Sequence, residues 1–128
     1  MRTLERRGVD LIALRAAVES EIENYVYEIH PEAIGQPLPQ EWVDARLATM
    51  RAALVQPIWR DIKIQDSYEQ VMGTAECEIR RCVLVADDRR GYELYFDPAQ
   101  GDFVLAYAGS PPVTFNVRGD AVGCFMAR

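Results

Sequence analysis

Chemistry at neutral pH needs a nucleophilic or titratable side chain, and the sequence offers few. His30 is the only histidine, and an imidazole is the usual general base near pH 7. It stands between a predicted helix end and Pro31, where the helix dipole favours a protonated ring. That placement accounts for the residue without catalysis. Cys77, Cys82 and Cys124 could each supply a thiolate, but a reactive thiol needs a base or cation beside it. Cys82 follows Arg80 and Arg81, yet neighbours along a strand point to opposite faces. Cys77 and Cys124 fall on apolar strand sides, so inert buried thiols are predicted. No Cys-x-x-Cys pair occurs, and one histidine cannot complete a Cys/His zinc set.

Carboxylates come close together at Asp87-Asp88, and at Asp97 and Asp102 across one loop. A calcium loop needs alternating oxygen ligands and a closing glutamate. Neither loop has them, and aspartates at turns commonly bond their own backbone. Arg118-Gly119-Asp120 spells an adhesion tripeptide, but a Gly-Asp hairpin turn explains the three residues. Gly73, Gly91, Gly101, Gly109, Gly119 and Gly123 never cluster into a phosphate loop. No cofactor and no metal are expected. No catalytic motif is found, and binding is favoured over catalysis.

Tyrosine is the more suggestive residue, being amphipathic and enriched at interfaces. Glu93, Tyr95 and Asp97 alternate with Leu94 and fall on one strand face. On a wet sheet surface they would form an acidic, aromatic contact patch, with ordinary solvent-facing side chains as the competing reading. Tyr25, Trp59 and Tyr107 would line a small-molecule pocket between helices and sheet.

Behind these residues the pattern predicts one α+β domain over residues 1–128: an N-terminal helical hairpin on a four- to five-stranded antiparallel β-meander. Leu11, Leu14, Val18, Ile22, Tyr25 and Ile29 recur at helical spacing, predicting a helix over about 10–29 with Asp10 as N-cap. A second helix over about 39–55 begins at Pro39, with Val43, Leu47, Met50 and Leu54 as its stripe and Pro57 beyond its end. Strands follow at about 58–64, 75–86, 92–97, 103–108, 113–118 and 121–126. The first is a charged edge strand. A single helical turn from Asp66 or Ser67 to Met72 ends at Gly73. The broken alternation at Arg80-Arg81 predicts a β-bulge, and Gly119-Asp120 a two-residue hairpin. The order, helices and then strands, is similar to that of the cone-shaped ligand-binding fold of the nuclear-transport-factor type, a likeness that no motif accompanies.

The strands around Cys82–Val85 and Phe103–Ala108 are apolar on both sides. Something must cover the second face: a short helix, a curled sheet or another subunit. Self-association across that face is therefore one expectation.

Charge narrows the partners. Net charge is −6 and the pI about 4.8, and no basic run exceeds two arginines, so nucleic acid and anionic membrane are disfavoured. A cationic protein suits the field better. The leading expectation is a small acidic protein-binding module, an inhibitor or immunity-type partner of a basic protein. The alternatives are a small-molecule-binding domain or weak enzyme, and a homodimeric structural protein. The odd cysteine count, without a signal-peptide pattern or a long apolar run, predicts a reducing, cytoplasmic setting. Thirteen arginines against the single Lys63 predict GC-rich coding and a bacterial source.

Overall fold

A computed structural model describes residues 9–27, 35 and 38–128. The expectations for His30 and for most of the proline-rich connection lie outside the described residues. Helix α1 (Leu11–Glu23) starts where expected, with the Asp10 carboxylate accepting from the amides of Ile12 and Ala13 at 3.0 and 3.2 Å. It ends earlier than the apolar stripe predicted. Asn24 turns back on Ser20, its amide nitrogen donating to the Ser20 carbonyl at 2.9 Å, a local bond that competes with further helix. Helix α2 (Gln40–Ala53) has Pro39 as its N-cap, not as its first helical residue.

Leu54 leaves the helix with extended backbone, and strand β1 (Leu54–Ile64) begins at once. Pro57 therefore lies inside a strand rather than terminating a helix. The β1–β2 register shifts between Leu54 and Ile58, and such a break is where a strand tolerates a residue without an N–H. The one-turn helix α3 (Tyr68–Met72) forms as predicted, with a Ser67/Gln70 capping box and Gly73 left-handed at φ 80°.

Strand β2 (Glu78–Asp87) starts later than the alternation suggested, because the amides of Thr74 and Ala75 are already bound to the Glu69 carbonyl at 2.9 and 3.2 Å. No bulge falls at Arg80-Arg81. Pairing with β1 is continuous from Ile58↔Leu84 to Ile64↔Glu78, and the β2–β3 slip lies between Leu84 and Ala86. Strands β3 (Tyr92–Asp97), β4 (Asp102–Tyr107) and β5 (Val113–Gly119) complete an antiparallel meander. The predicted strand at 121–126 is instead helix α4 (Ala121–Met126). Asp120 is its N-cap, not half of a hairpin turn, and accepts from the Gly123 amide at 2.7 Å. Glu21 of α1 takes the Ala121 and Val122 amides at 3.2 and 2.6 Å.

Two apolar clusters divide the sheet. Val83, Val85, Leu94 and Leu105 pack on one face against Val18, Ile22, Met50 and Phe125 from the helices. Ile62, Ile64, Cys82, Leu84, Tyr95, Val104 and Ala106 form the other cluster, with no helical residue among them. All seven are buried, so the sheet must cover this face by curling on itself. The Lys63↔Val113 bridge draws β5 towards β1, backed by the Lys63 amide donating to the Pro112 carbonyl at 2.8 Å. The bridge is one residue pair, short of a ladder. Of the three covers the sequence allowed, the curled sheet is the one observed.

Candidate functional site

Glu93, Tyr95 and Asp97 do share a face, but it is the inner one. Their exposures are 5%, 0% and 0%, so a macromolecule cannot touch them and the expected surface patch does not form. Glu93 accepts the Tyr95 hydroxyl at 2.9 Å and the Arg60 guanidinium at 3.2 Å. Burial, and then the Glu93 charge, hold the Tyr95 phenol above the ordinary tyrosine range.

Asp97 lies at the opposite end of the same face, between the guanidinium groups of Arg80 and Arg118. Arg118 donates from Nε and Nη2 to Asp66 (3.2 and 2.9 Å), from Nη1 to Asp102 at 2.7 Å and from Nη2 to Asp97 at 3.0 Å. Arg80 also pairs with Glu78 at 2.7 Å. Each strand, or the chain shortly after it, contributes to this ring: Asp66 two residues after β1, Arg80 from β2, Asp97 from β3, Asp102 from β4 and Arg118 from β5. Burial works against the Arg118 charge, but the hydrogen bonds to Asp66 and Asp97 outweigh it and raise its pKa. All three guanidinium nitrogens are engaged. The ring closes one mouth of the curled sheet, with every nitrogen of Arg118 turned onto a carboxylate.

The pocket expected from Tyr25, Trp59 and Tyr107 is not assembled. Tyr25 and Trp59 are half-buried against the helix-side core, whereas Tyr107 is half exposed and stacks on Phe115 with centroids 4.3 Å apart. Of the thiols expected on apolar strand sides, Cys77 lies before β2 and is only half-buried, and Cys124 is buried from helix α4 rather than from a strand. Cys82 and Cys124 are buried. Burial, then the Asp97 charge, pushes the Cys82 thiol up to about 12; burial, then the Asp120 and Asp102 charges, does the same to Cys124. Neither can act as a nucleophile near pH 7. Among the described residues no group of three or more His, Cys, Asp or Glu side chains is placed to hold a metal. No described helix is long and apolar enough to cross a membrane.

Two surfaces stand outside what the sequence singled out. Helix α3 buries none of its residues, and Tyr68, Val71 and Met72 are 74%, 54% and 59% exposed. Their i, i+3, i+4 spacing puts them on one helical face. It was visible in the sequence, but one turn of helix gives no stripe long enough to read. The second surface is a cleft of about 400 Å³ between α2 and the β2–β3 turn, lined by Arg46, Thr49, Ala53, Asp88, Arg89, Arg90 and Arg128 among others. Of that set the sequence singled out only Asp88, with Asp87, as a carboxylate pair at a turn; the arginines come together only in the fold. Comparison with known proteins adds no constraint: no family model matches the chain, and neither the curated proteins nor the solved structures searched contain a match.

Proposed function

We propose that this chain is a protein-binding module for a basic partner, and that the partner docks on helix α3 rather than on the sheet. The observation that carries this reading is the apolar face of Tyr68, Val71 and Met72, ordered but left in water. Holding such side chains in place without burying them gains nothing for the fold, whereas full burial of a Val or Met contributes roughly 1.5–3 kcal/mol. The face is presented firmly: the capping box opens the helix, Gly73 closes it, and Thr74 and Ala75 are tied back to Glu69. Glu69, Glu76 and Glu78 are exposed along the same connection. An apolar centre with an acidic border complements an apolar anchor set among lysines or arginines. The net charge of −6 favours the same partners.

The test captures partners from a native lysate on the immobilised chain at low and high salt, in parallel with a Val71→Ser/Met72→Ser variant. The expected result is a basic protein retained at low salt, released at high salt, and lost with the variant. Identical capture by both chains, or no salt-sensitive partner, would overturn the proposal. So would sedimentation as a dimer that the double substitution dissociates, since the face would then belong to a second copy.

A further inference from the structure

The cleft between α2 and the β2–β3 turn is independent of α3, and its charge is opposite to that of the chain as a whole. Its walls bring together Arg46 from α2, Arg89 and Arg90 from the turn, and Arg128 after α4, with Asp87 and Asp88 as the carboxylates. Asp88 is committed through both oxygens and Asp87 through one. Asp88, with a side chain only 2% exposed, accepts the amides of Arg90 and Tyr92 at 2.7 and 3.1 Å through one oxygen, and Arg128 Nη1 at 3.1 Å through the other. Asp87 accepts the Arg89 amide at 2.8 Å. The arginines are not committed to match: among the described residues Arg46, Arg89 and Arg90 form no ion pair. The Nε atoms of Arg46 and Arg128 are buried and have no hydrogen-bond partner among those residues. The Arg128 side chain is itself nine-tenths buried. A buried donor left without an acceptor costs about 1–3 kcal/mol, and more when charged.

The turn is shaped for the same purpose. Arg89 has left-handed backbone at φ 57°, uncommon for a residue with a Cβ. The Asp87 carboxylate on its amide holds it there, among the residues that line the cleft. Two further contacts fix the guanidinium planes of the floor: Arg46 lies 5.1 Å from the Trp42 ring centroid, and Arg128 4.0 Å from that of Phe125.

We propose that this cleft is a binding site for a small dianion, specifically a phosphate monoester. Four arginines and two aspartates line the cleft, leaving an excess of two positive charges that a dianion neutralises. Guanidinium forks match the geometry of phosphate oxygens, and the side-chain cations here are all arginine. A volume of about 400 Å³ suits a ligand of modest size, within the range of ordinary small-molecule pockets. Ala52 and Ala53 offer apolar wall to the ester group. A nucleic-acid strand is disfavoured because the excess positive charge is confined to one cleft on an acidic chain.

The test follows backbone amide shifts of the full chain titrated with phenyl phosphate, inorganic phosphate and succinate at constant ionic strength. Saturable shifts centred on Asp88–Tyr92 are expected with the two phosphates. Affinity should rise as pH passes about 6, where a phosphate monoester takes its second charge. Arg46→Ala or Arg90→Ala should weaken binding about tenfold or more, the scale of one charge-assisted hydrogen bond. Arg90 is exposed, so its variant remains informative should the Arg46 variant misfold. No saturable shift, equal affinity in wild type and the Arg90 variant, or tighter binding of succinate than of either phosphate would each overturn the proposal.

Discussion

Arg118 and Arg46 are both half-buried arginines in the same acidic chain, and their surroundings differ in one respect. Arg118 directs all three guanidinium nitrogens onto carboxylates of the ring that closes the curled sheet. Arg46 pairs with no carboxylate among the described residues, and its Nε has no partner there. The ring spends its charge on itself, each of its arginines facing carboxylates. The cleft has capacity left and can serve a ligand. Burial of charge therefore does not mark a site here; arginines without a carboxylate partner among the described residues do.

The largest expected effect comes from removing the centre of the ring. Asp97→Ala should leave Arg80 and Arg118 facing each other without their shared carboxylate, costing about 3–5 kcal/mol in urea unfolding. A cost below about 1 kcal/mol would put the ring on a par with ordinary surface pairs and erase the contrast.

Alkali acts through proton-holding groups on both sides of the sheet, Cys82 and Tyr95 on the enclosed face and Cys124 in the helix-side core. The folded Cys82 and Cys124 thiols keep their protons up to about 12, whereas an ordinary thiol loses its proton near 9.0. Their contribution is thus complete below about pH 9 and is lost as pH rises towards 12. Tyr95, raised for the same reason, adds to the loss above its ordinary value of 10.0. Urea midpoints should fall progressively from pH 9 to 11. At pH 8 a thiol reagent should modify half-buried Cys77 in the native chain, and Cys82 and Cys124 only after unfolding. A native rate at Cys82 equal to that at Cys77 would show the inner face to be open.

Arg118→Lys keeps the charge but replaces a planar fork with a point donor, and should cost about 1–3 kcal/mol. Full stability in that variant would mean that charge alone holds the mouth shut. Tyr95→Phe removes one hydroxyl from Glu93 while Arg60 remains, and should cost about 1 kcal/mol by thermal or urea unfolding. At the other extreme, Arg90→Ala in the cleft should change stability by less than about 0.5 kcal/mol. A larger loss would place Arg90 in the fold and weaken the case for a ligand.

Much of the architecture was legible in local pattern. Asp10 as a cap, the one-turn helix from Ser67 to Gly73 and strand β3 over Tyr92–Asp97 all follow from short-range chemistry, because a cap or an alternation is complete within a few residues. Helix α4 was not legible. Ala121–Met126 is a short apolar run, and such runs do not separate strand from buried helix by periodicity. Asp120 was the available signal, but the Gly-Asp pair also fits a hairpin turn. The choice was made by distant groups: Glu21 captures the first amides of α4, and Phe125 packs into the helix-side core.

Sequence by itself determined that Glu93, Tyr95 and Asp97 share a face, and that the strands around Val83 and Leu105 have no polar side. Strand geometry alternates side chains whatever surrounds them. Only the tertiary structure decided that this shared face is the inside. Curling is a property of five paired strands and of the Lys63–Val113 bridge, written in no single segment. By the same logic Arg46, Arg89, Arg90 and Arg128, far apart along much of the chain, become one cleft only when α2, the β2–β3 turn and the end of α4 are packed together.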